Sequence, residues 1–189
     1  MHYSELNREL GNIDLFLLDQ ILKGRFDEGM KVLDAGCGEG RNLSYFVNNG
    51  FEVFGVDSNP MAIKMAKMTY RSVPADNWIV SSIEEIPFKD SFYDLVMCHS
   101  VLHFAKSETH FFQIVQRLIG LIKPGGFMSF NMASTIGFEN EFLQNPGSFQ
   151  LSQKVFDNLL KNYEMSEVEP ARTVLTGEAC NTYALLKRY

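Results

Sequence analysis

The chain has 189 residues, which suits one compact core. An apolar fraction of 46% is that of a globular protein and excludes disorder by composition. The formal net charge is −6 and no run of lysines and arginines interrupts the sequence, which disfavours a nucleic-acid partner, because phosphate backbones are gripped by basic stripes.

Taken in order, Ile13 to Leu22 is an apolar helix candidate closed by Gly24. Lys31 to Asp34 reads as a buried strand. A helix is expected from about Glu39, with Leu43, Phe46 and Val47 on one face and Asn49-Gly50 ending it. Phe51 to Val56 is the second strand. Asn59-Pro60 opens a helix whose Met61, Met65 and Met68 share a face expected to pack in the core. Asn77 to Ser81 and Tyr93 to Cys98 are the third and fourth strands. Ser107 caps a helix with the stripe Phe111, Val115, Leu118 and Ile122. Lys123-Pro124-Gly125-Gly126 turns into a fifth strand, Phe127 to Met132. A loop over Ala133 to Phe149 precedes a helix from Ser152 through Leu160, and strands near Glu164 to Glu169 and Thr182 to Lys187 close the chain. Strands alternating with helix-period segments argue for an α/β fold with a largely parallel sheet.

The cysteines, Cys37, Cys98 and Cys180, match neither a disulfide framework nor a zinc pattern and are expected as reduced thiols. The opening Met1-His2-Tyr3-Ser4-Glu5 is polar and reads as no signal peptide, and no apolar run approaches the ~18 residues of a membrane span. These readings place the protein in the cytoplasm, away from membranes and without a metal.

The sharpest signal is Val32-Leu33-Asp34-Ala35-Gly36-Cys37-Gly38-Glu39-Gly40, a buried strand running into a glycine turn. Glycine lets backbone approach a ligand closely, and a helix start adds free N–H groups. A dinucleotide fingerprint needs G-x-G-x-x-G, but position 41 is arginine and the glycines fall at 36, 38 and 40. Asp57 ends the second strand, where an acid at the strand ends can accept from ribose hydroxyls.

This G-x-G-x-G pattern behind Asp34 resembles motif I of class I S-adenosylmethionine-dependent methyltransferases. Ser82-Ile83-Glu84-Glu85-Ile86-Pro87-Phe88 resembles the family's adenine segment, with serine at the usual acid. Tyr93 to His99 is similar to its fourth-strand motif, and Leu121 to Gly126 to the turn before the fifth strand. The closing residues look similar to the small tellurite-resistance type. The resemblance implies a Rossmann-like, doubly wound, mostly parallel seven-stranded sheet with helices on both faces. It implies one domain: a cap over residues 1–29, a cofactor-binding core over 30–131 and a substrate-side portion over 132–189.

The donor implied is S-adenosyl-L-methionine. Gly36, Gly38 and Gly40 would face its methionine part, Asp34 its ammonium and Arg41 its carboxylate. Asp57 and Ser58 would take the ribose, and Ser82 and Ile83 the adenine. Cys98 and His99 would lie nearest the sulfonium. His103 is the candidate general base, since histidine titrates near neutrality. Cys37 reads as a small residue filling a tight turn. The acceptor is expected to be a small molecule in a partly apolar pocket walled by Tyr3, Phe104, Met132 and Phe138. Asp57→Ala is expected to weaken donor binding in a domain that stays folded. A non-catalytic module that senses the donor or S-adenosylhomocysteine is the alternative, and the oligomeric state is left open.

Overall fold

The computed structural model describes residues 2, 4, 5, 10–138, 148–176 and 179–189. Tyr3 lies outside them, as does the 139–147 stretch of the expected loop. The strands are β1 (Lys31–Ala35), β2 (Glu52–Asp57), β3 (Trp78–Val80), β4 (Tyr93–His99), β5 (Ile122–Ala133), β6 (Met165–Glu167), β7 (Arg172–Thr176) and β8 (Ala179–Arg188). They form one sheet of order β3-β2-β1-β4-β5-β8-β6, with β7 also on β8.

The first five strands pair in parallel, and β8 enters antiparallel to β5, with Phe127 opposite Lys187 and Ala133 opposite Asn181. On the far side of β8, β6 pairs with Leu186 to Arg188 and β7 with Ala179 to Tyr183. These two segments fill one strand position in tandem, so the sheet is seven positions wide, as the family resemblance implies. β7 is the element the sequence reading missed.

The helices that follow are α1 (Leu15–Leu22), α2 (Ser44–Asn48), α3 (Pro60–Thr69), α4 (Glu108–Leu121) and α5 (Gln153–Asn162). Alternation along the strands sends Leu33, Ala35, Val96 and Cys98 into a core with Phe111, Val115, Leu118, Phe156 and Leu159 of α4 and α5. Val32, Leu95 and Met97 face the opposite core, with Phe16, Leu17 and Ile21 of α1, Phe46 of α2, and Ile63 and Ala66 of α3. The sheet is therefore wound on both faces.

Side chains fix where the helices begin. Asp14 accepts from Leu17 N at 3.0 Å, Asn59 from Met61 N at 2.9 Å with Pro60 at the first turn, Ser107 from His110 N at 3.1 Å and Ser152 from Val155 N at 3.3 Å.

Two local expectations are corrected. The helix expected from Glu39 starts only at Ser44 and is five residues long, because the loop runs through positive φ as far as Gly40 (φ +86°), which a right-handed helix cannot absorb. Met61, Met65 and Met68 do share a face of α3, but it is the solvent face: they are 60%, 38% and 53% exposed. Ile63 and Ala66 take the core, so the stripe reports helical period without reporting burial.

Candidate functional site

The carboxyl ends of the parallel strands meet at the glycine turn. Gly36 leaves β1 at φ +83°, and a Cβ there would come within 2.4 Å of Val101 Cγ2. Gly40 is under the same restraint, since a Cβ would strike the Tyr70 ring at 2.6 Å. Tyr70 also donates its hydroxyl to Gly40 O at 2.7 Å and stacks on Trp78, ring centroids 6.0 Å apart. Cys37 is buried, and its Sγ stands 3.0 Å from where a Cβ on Gly55 would lie. Burial drives its thiol pKa far up, so it fills space rather than reacting.

Asp57 holds this turn in place. One carboxylate oxygen accepts from Gly38 N at 2.8 Å and the other from Asn59 N at 2.8 Å. The Asp57→Ala expectation is thereby enlarged, because the same carboxylate braces the loop before any ligand arrives.

Asp57 opens onto a cleft of about 340 Å³ that brings together Gly36, Ser58, Ser82 and Ile83 from the sequence assignment. Glu84 of the adenine-like segment joins them, as do Ser81, Val101, His110 and Ile114, to which the sequence assigned no role. Glu84 meets His110 Nε2 at 2.7 Å, and that hydrogen bond holds its carboxyl below the usual range. Phe104, expected as an acceptor wall, ends the short 3₁₀ turn over 102–104 and lines this cleft instead, 72% exposed. A larger hollow of about 560 Å³ at the opposite strand ends, near Gly50 and Asn77, contains none of the predicted site residues.

Behind the turn lies a buried polar cluster. Asp34 is 2% exposed, and no described residue hydrogen-bonds its carboxylate. Burial pushes its pKa up to about 6, against the pull of His99 and Arg41 and with a push from Asp57. His99 Nε2 meets Ser129 Oγ at 3.0 Å, and its Nδ1 lies 3.6 Å from Asp14 Oδ1. Asn131 ties the cluster together. Its Oδ1 accepts from Ser100 N at 2.8 Å, and its Nδ2 donates to Asp14 Oδ2 at 2.7 Å. Burial works to raise the Asp14 pKa, but the hydrogen bond and charge of His99 bring it below the usual carboxylate range. Neither Asp14 nor Asn131 stood out in the sequence, since nothing local marks a contact across 117 residues.

The remaining predicted residues divide. Arg41 is exposed, its Nη2 3.5 Å from Ser100 Oγ. Cys98 is fully buried in the α4–α5 core with its thiol pKa driven up by burial, and His99 is turned into the cluster, so neither side chain lines the cleft. Val101 takes the position over Gly36. His103 lines neither this cleft nor another one beside α1, walled by Phe16 and Tyr183. Its ring packs on Phe104 at 4.4 Å, its Nδ1 is buried without a hydrogen-bond partner, and burial lowers its pKa. Met132 is fully buried and Phe138 partly so. Among the described residues no helix is long and apolar enough to cross a membrane.

A doubly wound sheet with a glycine turn and an acid at the end of the second strand is the setting in which nucleoside cofactors bind. The chain belongs to the methyltransferase domain family, whose model matches residues 33–130. It is 32% identical over 101 residues to an uncharacterized methyltransferase of Synechocystis sp., covering 53% of this chain and 46% of that protein. It is 33% identical over 100 residues to the malonyl-[acyl-carrier protein] O-methyltransferase of Enterobacter lignolyticus, covering 53% and 38%. The chain thus matches less than half the length of these relatives. In fold it is similar to the magnesium protoporphyrin IX methyltransferase of Synechocystis, solved with bound S-adenosylhomocysteine. That match has a TM-score of 0.74 at 17% identity and covers 96% of this chain and 84% of that one.

Proposed function

We propose that the chain is an S-adenosylmethionine-dependent methyltransferase acting on a small-molecule acceptor. The observation that carries this reading is Asp34: a desolvated carboxylate with no hydrogen-bond partner among the described residues, set behind a glycine turn. A buried anion without a partner is costly, and a cationic ligand group relieves it. The donor's ammonium is such a group. Its nucleoside fits the cleft that holds Asp57, Ser58, Ser82 and Ile83. Glycine at 36 leaves room for Val101 to close over the turn.

The donor supplies an electrophilic methyl carbon: the acceptor's lone pair forms the new bond as the carbon–sulfur bond breaks, its electron pair staying on sulfur. The chain's own part is positioning. Asp57 braces Gly38, and Asn131 fixes the Ser100 turn that ends β4. With His99 engaged by Ser129 and Asn131 and His103 outside both clefts, the described residues favour an acceptor that arrives with a free lone pair. Residues 1–29 and 132–189 serve the acceptor side, and 30–131 the donor.

Calorimetric titration with S-adenosylmethionine, S-adenosylhomocysteine and NAD tests the donor assignment. The first two are expected to bind and NAD not to. Preference for NAD overturns the reading. Methyl transfer to any member of an acceptor panel separates the enzyme from a sensing module. The same placement of the histidines favours that module as the second reading.

A further inference from the structure

Beside α1 a second cleft of about 480 Å³ shares no residue with the first. Its walls are Phe16 and Tyr183, with ring centroids 6.0 Å apart, and its rim carries Leu15 and Val174, 78% and 45% exposed. Its polar groups are unusual for a cleft in a chain of net charge −6. Arg172 lies over the Phe16 ring at 5.5 Å and spends Nη2 on Asp19 and Glu169. Arg41 has no carboxylate within ion-pair distance among the described residues. The acid of this cleft, Asp14, is already satisfied by Leu17 N and Asn131 Nδ2. The Tyr183 hydroxyl hydrogen-bonds no described residue.

We propose that this cleft takes the methyl acceptor, and that the acceptor is an apolar or aromatic molecule bearing a carboxylate. Resting on the methyltransferase reading, it names the acceptor's chemistry. The apolar body lies along Phe16, Tyr183 and Val174. The carboxylate meets the free donors of Arg172, Arg41 and the Tyr183 hydroxyl, which present N–H and O–H groups with too few acceptors. The cleft joins the donor site through shared groups: Asp14 binds Asn131, and Arg41 reaches Ser100, both at the ends of the central strands. Arg41 stands at that junction, where a carboxylate comes either from the donor's amino-acid end or from the acceptor.

The two sources are separated by titrating 2-naphthoate into protein saturated with S-adenosylhomocysteine, whose own carboxylate is then in place. Binding is expected to persist, with 2-naphthamide at least 10-fold weaker. Val174→Trp, a change on the exposed rim that blocks the cleft, is expected to lower naphthoate affinity at least 10-fold, and Arg172→Gln to do the same. Both should leave S-adenosylhomocysteine affinity unchanged. Equal binding of acid and amide, or naphthoate binding indifferent to Val174→Trp, overturns the proposal. Competition between naphthoate and S-adenosylhomocysteine also overturns it, by assigning the anion to the donor position. Failure of S-adenosylhomocysteine itself to bind refutes the donor reading separately, and the titration of unliganded protein still decides the cleft.

Discussion

At the scale of single residues, Asp34 is expected to couple stability to binding. Its pKa rises from 3.8 to about 6 on folding, so its contribution to stability is fully present below pH 4 and is lost as pH rises through 6. At pH 7 the buried charge costs about 3 kcal/mol by the usual conversion. Asp34→Asn is therefore expected to raise unliganded stability by about 1–3 kcal/mol in urea unfolding at pH 7.5, with the gain shrinking below pH 6. The same variant is expected to bind S-adenosylmethionine at least 10-fold more weakly. Unchanged stability and unchanged binding together would show that Asp34 faces neither solvent exclusion nor the donor. Asp57→Ala is expected to act differently, losing both stability and affinity, because Gly38 N and Asn59 N lose a charged acceptor worth about 1.5–3 kcal/mol. His103→Ala is expected to lower turnover by less than the ~100-fold typical of removing a general base, with little change in pH profile. A 1000-fold loss in a folded variant that still binds donor would make His103 catalytic.

At the scale of elements, α3 separates period from burial. Met61→Gln and Met68→Gln are expected to change stability by less than about 0.5 kcal/mol, whereas Ile63→Ala, on the opposite face, is expected to cost about 2–5 kcal/mol in urea unfolding. The parallel strands were readable because they are continuous apolar runs covered on both sides. The caps were readable because Asn59, Ser107 and Ser152 act within three residues of themselves. β7 was not, since Arg172, Val174 and Leu175 are exposed and the segment shows no buried face. The glycine turn shared that legibility: glycines and an acid at fixed spacing state a backbone requirement, met by the positive φ of Gly36, Gly38 and Gly40 and by the Asp57 bond to Gly38 N. The Asp14–Asn131–His99 cluster is made by strands and a helix segment distant in sequence, and Asp14 and Asn131 look like ordinary surface residues until the sheet assembles.

At the scale of the whole molecule, a ligand that binds only the folded chain adds stability by mass action, about 2.7 kcal/mol at 100 times its Kd. For a domain of this size that is a rise of about 5–10 °C in Tm. S-adenosylhomocysteine is expected to produce such a shift in a thermal melt and NAD none. A shift with NAD and none with the nucleoside product would reverse the assignment.

The antiparallel β8 has a further consequence for how the protein is made. It is the neighbour of β5, yet 45 residues separate Ala133 from Ala179 in the chain. During synthesis, at roughly 5–20 residues per second, β5 leaves the ribosome seconds before its partner does. For that interval one side of the central sheet presents unpaired amide and carbonyl groups over a run that includes Phe127, Met128, Phe130 and Met132, the kind of bare margin that recruits other chains. The nascent protein is therefore expected to depend on β8 for solubility. A chain ending before Ala179 is expected to sediment with inclusion material while the full chain stays in the supernatant, and supplying the Ala179–Arg188 segment as a peptide during refolding is expected to recover part of it.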